Sequence, residues 1–307
     1  MNYLVTGAGG FIGSAIVKKL LMQGNTCTTI DNFSTGTKAN VPFGCKLMEG
    51  DVADSGVVGQ LMDERYDAVI HIAGQSSGEV SFENPIYDLN TNTKSTLLLL
   101  DLAKKTKVKK FIYASSMSVY GEQGDGFVDE ATATQPKSFY AVGKLASESY
   151  MRIYSDFGIQ CTALRFFNVY GIGQNMGNLK QGMFSIYLAQ AINNRHIVIK
   201  GAKDRYRDFV YIEDVVDSVL AALGRTVGNA FEVYNVCSGE RRTVEELVQT
   251  IRHKLPYEVT AEYVEGTPGD QHGIYGSHQK ISDMLGWKPR ISFEEGTTRM
   301  IDWATGL

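Results

Sequence analysis

Cysteine and proline are scarce in this chain, with 4 and 6 copies among 307 residues, and each shortage excludes something. The cysteines, Cys27, Cys45, Cys161 and Cys237, stand far apart, and no Cys-x-x-Cys or His-x-x-His spacing accompanies them. They are expected to be inert thiols, forming neither a disulfide framework nor a metal site. Six prolines beside 32 glycines exclude a collagen-like or linker composition, in which both would be high, so the glycine needs another explanation. A charge excess of one sign is lacking too. Thirty Lys plus Arg against 34 Asp plus Glu leave a formal charge of −4, with no electrostatic footprint for nucleic acid or an anionic membrane surface. No stretch approaches the about eighteen apolar residues of a membrane span. Met1 to Thr6 already reads as a buried strand, which leaves no room for a signal peptide, so a soluble, cytoplasmic protein is expected. With 43% hydrophobic residues the chain can bury a real core, and roughly 150 residues per domain predicts about two domains.

The first half alternates short β-branched or aliphatic runs with longer helical patterns, the sign of a parallel sheet covered by helices on both faces. Strands are predicted over 3–6, 27–30, 46–48, 68–72, 111–114 and 162–166, and helices over 12–23, 57–63, 86–104 and 139–157. That is a doubly wound α/β architecture of at least six strands. Beyond Tyr170 the pattern turns irregular, with a Gly/Asn-rich stretch over 171–182, helices near 183–193, 244–254 and 293–304, and isolated short strands. Residues 1–170, with a returning segment over about 204–235, are expected to form the dinucleotide-binding domain. Residues 171–203 and 236–307 are expected to form a smaller, interleaved α/β substrate-binding lobe over the sheet's carboxyl edge.

Thr6-Gly7-Ala8-Gly9-Gly10-Phe11-Ile12-Gly13 sets glycines at 7, 10 and 13 directly after a strand and at the opening of a helix. Gly7 permits the tight turn, Gly10 lets backbone approach a pyrophosphate, and Gly13 lets helix and sheet pack closely, while the helix amino terminus offers free N–H groups. The second strand ends in Asp31, eighteen residues after Gly13, where this fold needs a carboxylate for the adenosine ribose hydroxyls. That carboxylate would repel a 2′-phosphate, and no arginine follows among Asn32, Phe33, Ser34 and Thr35, so NAD is favoured over NADP. Gly50-Asp51-Val52 follows the third strand; Asp51 either reaches the adenine amino group or caps a helix beginning near Ser55.

Tyr140 and Lys144 stand four apart in a helical pattern, hence on one face. Bringing a phenol from a pKa near 10 to roughly 7 takes about 4 kcal/mol, which a desolvated lysine and a positive nicotinamide ring can supply together. The fifth strand releases Ser115-Ser116-Met117-Ser118 at its carboxyl end, where doubly wound folds place ligands; turn chemistry alone would also account for these serines.

With these residues the chain resembles the extended short-chain dehydrogenase/reductases, in the NAD-dependent nucleotide-sugar epimerase/dehydratase group, and most closely the UDP-glucose 4-epimerase-like enzymes. The resemblance covers nearly the whole chain. It adds His71-Ile72-Ala73-Gly74, Asn92, Arg165-Phe166-Phe167-Asn168-Val169-Tyr170-Gly171, Asn178-Leu179, Arg207-Asp208-Phe209-Val210-Tyr211, Gly269-Asp270 and Leu285-Gly286-Trp287-Lys288-Pro289. It implies a Rossmann fold with bound NAD. Tyr140 then resembles the base, Lys144 its electrostatic partner and ribose ligand, and Ser116 the hydroxyl on the reacting sugar oxygen. Gly7, Gly10, Phe11, Ile12, Gly13, Asp31, Asn32, Ser34, Asp51, Val52, Ala73, Gly74, Asn92 and Phe166 are implied around the cofactor. Ser118, Asn168, Asn178, Leu179, Arg207 and Asp270 are implied around the substrate. His71 reads equally as a packed strand-end histidine, and Phe166 with Phe167 as simple core. A homodimer is implied through a four-helix interface of the helices over 86–104 and 139–157.

Two departures carry information. The family's dehydratases follow the serine or threonine with Asp and Glu, which eliminate water; here stand Met117 and Ser118, and a thioether cannot donate a proton as a carboxylic acid can. Thr267 stands where family members commonly carry an arginine that pairs with the substrate diphosphate. The resemblance therefore implies epimerisation, at C4 of a UDP-hexose or its derivative, through a 4-keto intermediate with tightly bound NAD and no metal. A nucleotide-sugar 4-ketoreductase, which would exchange NADH with solution, and a non-catalytic NAD-binding protein of the same fold are the alternatives.

Overall fold

The computed structural model describes residues 1–124, 126–225, 230–266 and 272–306. Seven strands form one parallel sheet: β1 (Asn2–Thr6), β2 (Thr26–Asp31), β3 (Lys46–Glu49), β4 (Ala68–His71), β5 (Lys110–Ser116), β6 (Gln160–Phe166) and β7 (Phe231–Val236). Their hydrogen-bonded order is β7-β6-β5-β4-β1-β2-β3. Winding therefore runs outward from β1 on one side and outward from β4 on the other. The reversal between β1 and β4 opens a crevice at their carboxyl ends.

In chain order the helices are α1 (Phe11–Met22), α2 (Ser55–Gly59), α3 (Gly78–Glu83), α4 (Pro85–Asp88), α5 (Ser95–Lys105), α6 (Phe139–Ser155), α7 (Met183–Asn194), α8 (Ile212–Gly224), α9 (Val244–Lys254), α10 (Gln279–Leu285) and α11 (Phe293–Thr305). Strand periodicity of two divides the core into two layers. Leu4, Val69, Phe111 and Tyr113 pack with Leu99, Leu100 and Met151 of α5 and α6. Their strand neighbours Val5, Ile70 and Ile112 pack on the other face with Ile16 and Leu20 of α1 and Val215 and Val219 of α8. Each fully buried aliphatic side chain of this kind contributes about 1.5–3 kcal/mol, so the two layers fix the sheet between its helices.

Each of the six expected strands is present, with its ends moved by one or two residues. The consequential shift is in β5, which continues through Ser115 and Ser116, so that Ser116 is both the last residue of the strand and the cap of the 3₁₀ turn over Met117–Tyr120. The seventh strand, β7, and the helix before it, α8, fall in the returning segment expected over about 204–235, for which no strand or helix bounds were predicted. Their apolar runs look like any others, and only pairing with β6 and packing on α1 assign them to the sheet. The helix expected over 57–63 begins at Ser55, and past Gly59 it tightens into a 3₁₀ turn over Gln60–Asp63. The long helix over 86–104 is interrupted. Between α4 and α5 the residues Leu89–Lys94 wind as a π-helix, with Ser95 and Thr96 hydroxyls donating to the Thr91 and Asn92 carbonyls at 2.6 and 2.7 Å.

Outside the sheet, Asn168–Tyr170 pairs in parallel with Phe209–Tyr211, and His196–Lys200 with Thr260–Val264. Helix α9 opens on a capping box formed by Thr243 and Glu246 and closes on Arg252, His253 and Lys254, which complement the helix dipole at both ends. Among the described residues no helix is long and apolar enough to cross a membrane.

A buried ion pair ties α6 to β6. Arg165 Nη2 and Nε donate to Glu148 Oε2 and Oε1 at 2.7 and 2.9 Å, and Ser115 Oγ donates to Oε1 at 2.5 Å. Both side chains are almost wholly covered, at 6% and 5% exposure, so water cannot replace a lost partner. Glu148→Leu should therefore lower stability by about 3–5 kcal/mol in urea denaturation, because it strands a buried guanidinium. The double variant Glu148→Leu with Arg165→Leu should recover much of that loss; equal losses in the two proteins would show that the charge pair is not the cause.

Candidate active site

The turn after β1 is built by backbone that side chains would block. Gly7 lies at φ 80°, and a Cβ there would fall 2.8 Å from the Ala73 nitrogen; at Gly13 it would fall 2.0 Å from the Gly7 carbonyl oxygen. Gly10 is the N-cap of α1 and no side chain caps that turn, so the first N–H groups of α1 are left for a ligand. Asp31, at the end of β2, accepts from Gly9 N on Oδ2 and from Phe33 N on Oδ1, both at 2.8 Å. Its neighbour Asn32 donates from Nδ2 to Asp51 Oδ2 at 3.2 Å. Asp51 is not the cap of α2: that is Asp54, whose Oδ1 accepts from Gly56 N and Val57 N at 2.7 and 3.3 Å. A cleft of about 590 Å³ opens over this turn, and Gly7, Gly10, Phe11, Ile12, Gly13, Asp31, Asn32, Ser34, Asp51, Val52, Ala73 and Gly74 all line it.

The same cleft is lined by Ser116, Ser118, Tyr140, Lys144 and Phe166. Ser116 Oγ accepts from Ser118 Oγ at 3.0 Å and from Ser118 N at 3.2 Å, which leaves its own proton free to be donated forward. Tyr140 rises from the first turn of α6, which Ser138 caps, and Lys144 follows one turn later. Lys144 Nζ donates to the Ala114 carbonyl at 2.9 Å and lies 4.8 and 5.6 Å from the ring centres of Tyr113 and Tyr140. Burial pulls this ammonium down to about 8, with the carboxylates of Asp88 and Glu148 opposing. Burial likewise pushes the Tyr140 phenol up to about 12; the hydrogen bond with Ser116 opposes the rise and Asp88 adds to it. The protein's own groups thus favour the neutral phenol, and the lowering expected from the sequence needs further positive charge beside it.

Asn92 lies beneath the cleft, in the π-helical turn. Its amide donates to the Gln75 carbonyl at 2.9 Å and to Asp88 Oδ1 at 3.0 Å, while its own Oδ1 is buried without a hydrogen-bond partner. A Cβ on Gly74 would fall 2.5 Å from that oxygen and 3.5 Å from Lys144 Nζ, so glycine is the residue that fits between them. His71, also in the motif after β4, is fully buried between Thr6 Oγ1 at 2.8 Å and Ser95 Oγ at 3.2 Å. Desolvation, with Lys144 nearby, holds it down to about 3, so it is a neutral, packed strand-end histidine. Phe166 and Phe167 serve both readings, since they line the cleft and belong to the core.

From the second half of the chain, Asn168, Asn178 and Arg207 line the cleft. Asn168 Nδ2 donates to the Asp208 carbonyl at 3.0 Å, and Asn178 Nδ2 to Gln181 Oε1 at 3.2 Å. Arg207 is almost wholly buried and donates to the Tyr206 carbonyl at 2.7 Å; burial, then the neighbouring Arg205, draws it down to about 10. Leu179 is 56% exposed and is not among the lining residues. Asp270 and Thr267 lie outside the described residues.

Several lining residues had no sequence signal. Lys180 reaches across to Glu83 of α3 at 2.8 Å, Gln181 hydrogen-bonds Ser76, and Gln174 keeps a buried Oε1 without a hydrogen-bond partner. They sit in the Gly/Asn-rich stretch, where neither periodicity nor a motif distinguishes one polar residue from the next. Taken together, the uncapped α1 turn, a cradle that a Cβ would fill, the Asp31 carboxylate and the orphaned Asn92 oxygen fit a dinucleotide such as NAD. Gly7, Gly10, Gly13, Asp31, Asn92 and Lys144 are the residues that could hold it.

Comparison with known proteins agrees with this geometry. Residues 3–237 match the NAD dependent epimerase/dehydratase family. A candidate UDP-glucose 4-epimerase of Methanocaldococcus jannaschii is 34% identical over 302 residues, covering 98% of this chain and 97% of its own. The UDP-glucose 4-epimerase of Thermotoga maritima, solved with UDP-glucose, superposes with a TM-score of 0.95 at 31% identity, covering 100% of this chain and 99% of its own. The Thermus thermophilus UDP-glucose 4-epimerase, solved with NAD, gives a TM-score of 0.93 at 32% identity over 100% of this chain and 99% of its own. By the length of the match and by its fold, the chain belongs to the NAD-dependent epimerase/dehydratase family.

Proposed function

We propose that this protein is an NAD-dependent nucleotide-sugar epimerase that inverts C4 of a UDP-hexose or UDP-hexose derivative through a 4-keto intermediate. The observation that carries the reading is the meeting of Ser116, Tyr140 and Lys144 on the cleft that also contains the glycine turn, with Met117 where a proton-donating carboxylic acid would be needed for elimination. When bound, NAD would supply a reversible acceptor for hydride from C4. The chain supplies the rest. Tyr140 Oη takes the proton of the C4 hydroxyl and later gives it back. Ser116, its lone pairs occupied by Ser118, donates to the same sugar oxygen. Lys144 is a cation close enough to the Tyr140 ring to favour the phenolate. Arg207, Asn168 and Asn178 grip the nucleotide diphosphate, with Leu179 and Asp270 assigned beside them by family resemblance. Residues 171–203 and 236–307 are the substrate-binding lobe. The relatives solved with UDP-glucose and with NAD support the ligand pair.

A homodimer in the cytoplasm belongs to the same reading. Ile86 and Leu89 on one helical run, and Val142 and Ile153 on α6, are 65%, 50%, 52% and 56% exposed, apolar side chains that a partner copy would cover. The four cysteines are free, as suits a reducing compartment.

Incubation with UDP-, dTDP-, GDP- and CDP-hexoses without added cofactor should give a C4 epimer of a UDP-sugar by chromatography and NMR. NADH absorbance should stay constant with a keto-sugar present; stoichiometric loss would identify a ketoreductase. Tyr140→Phe should retain NAD but turn over about 10²–10⁴-fold more slowly, and unchanged turnover would remove Tyr140 from the role of base. Ile153→Glu should shift the protein toward monomer in sedimentation; an unaltered dimer would place the interface elsewhere.

A further inference from the structure

Lys144 is a buried ammonium whose hydrogen bond is to a neutral carbonyl, Ala114 O, and whose nearest rings are Tyr113 and Tyr140. A buried cation needs a counter-charge. Glu148, one turn further along α6, is already matched by the bidentate guanidinium of Arg165. Asp88, the last residue of α4, is not matched in that way. It is 1% exposed, and its Oδ1 takes only neutral amide donors, Gln75 Nε2 at 2.8 Å and Asn92 Nδ2 at 3.0 Å. Its Oδ2 faces α6: a Cβ on Gly143, the residue before Lys144, would fall 3.5 Å from it. The approach is close because α6 presents Gly143 and Ser147 to the π-helical turn, Ser147 Oγ donating to the Asn92 carbonyl at 3.2 Å. Among the described residues, a carboxylate without a cation of its own and an ammonium without an anion of its own are thus buried on either side of one helix–helix contact.

We infer that Asp88 is a positioning residue of the reaction: its carboxylate is the counter-charge that keeps Lys144 an ammonium, and through Lys144 it sets the pH range in which Tyr140 can act. The inference rests on the roles proposed above for Tyr140 and Lys144. Three features follow from the arrangement. Burial raises the Asp88 carboxyl above the usual carboxylate range, and Gln75 and then Lys144 oppose the rise. For Lys144, Asp88 is the first of the two carboxylates that oppose its loss of the proton. For Tyr140, the same negative charge disfavours the phenolate. Of the other titratable groups nearby, Glu148 also opposes loss of the Lys144 proton but is already held by Arg165, and His71 is kept neutral by burial. Asn92 links the two sides geometrically. Its amide is fixed by Asp88 and the Gln75 carbonyl, which turns its free Oδ1 toward the space above Gly74 that Lys144 Nζ also reaches.

Asp88→Asn preserves the shape and the acceptor oxygen but removes the charge. Without it Lys144 gives up its proton more readily, so the alkaline limb of the kcat–pH profile moves to lower pH. The Tyr140 phenolate also forms more readily, so the acid limb moves the same way. Both limbs should shift by roughly one unit, as for removal of a nearby buried charge, while NAD remains bound. A uniform loss of rate with both limbs in place, or no change at all, would overturn the inference. The reciprocal measurement does not depend on activity or on the folding of that variant. In Lys144→Met, with ¹³C-labelled aspartate, the infrared band of a protonated Asp88 carboxyl should persist to higher pH than in the wild type by about the same amount. Identical titrations would equally overturn it. A wild-type protein that converts no nucleotide sugar would instead refute the proposed function, and the infrared comparison would still decide whether Asp88 and Lys144 are coupled.

Discussion

The constraint on which the site depends is a lysine ammonium held out of water. Lys144 is 4% exposed, and the energy of keeping it charged there has to come from atoms placed around it before any ligand arrives. A carbonyl within β5 accepts its hydrogen bond, two aromatic faces flank it, and a carboxylate stands behind the neighbouring helix. Each of these requires a piece of the fold. The carbonyl requires that β5 run to Ser116; the carboxylate requires that α6 and the segment over 85–94 approach closely; that approach requires Gly143 and Ser147 on the facing side of α6. The π-helical turn belongs to the same set. It sets Thr91, Asn92 and Thr93 inward together, and Ser95 and Thr96 hydroxyls occupy carbonyls that a regular helix would bond internally.

The sheet supplies the second half of the arrangement. Because the winding reverses between β1 and β4, the loops after these strands diverge, and the glycine turn and the Ala73–Gly74 corner face a common space. Loops from the irregular half of the chain close that space from the other side. On the proposed function, an anionic ligand is met by the N–H groups of α1 and by the buried guanidinium of Arg207. This is how a chain with a formal charge of −4 can hold a phosphorylated ligand without a basic surface.

What could be read in the sequence is what local chemistry dictates. The Gly7, Gly10 and Gly13 spacing, Asp31 at a strand end, and the Tyr140–Lys144 pair depend on neighbours within a few residues, so they were legible. The segment of β7 and α8 was expected to return to the sheet's domain, but their bounds as elements were not legible, because these follow from pairing with β6 and packing on α1, more than sixty residues away in the chain. Asp88 and Gln75 were invisible for a related reason: a single buried polar residue has no period, and only the contact across two helices shows what it faces. Asp51 and Asp54 illustrate a smaller ambiguity. Two aspartates three apart both precede α2, and only the bonds to Gly56 and Val57 show that Asp54 is the cap, which leaves Asp51 to Asn32 and the cleft.

The placement of carboxylates also bears on which reaction the edge of β5 can support. Eliminating water from a keto sugar needs an acid beside the leaving oxygen and a base beside the carbon proton. After Ser116 the chain offers Met117, whose sulfur is 3.7 Å from Asn168 Nδ2, and Ser118, whose hydroxyl is turned back onto Ser116. The carboxylates that influence Tyr140 and Lys144, Asp88 and Glu148, are buried behind the lysine and engaged by Gln75, Asn92, Ser115 and Arg165. They can tune charge there but cannot transfer a proton to a sugar in the cleft. On the proposed function, the C4 oxygen beside Ser116 and Tyr140 exchanges its proton with the phenol, which serves loss and return of hydride at C4 rather than elimination.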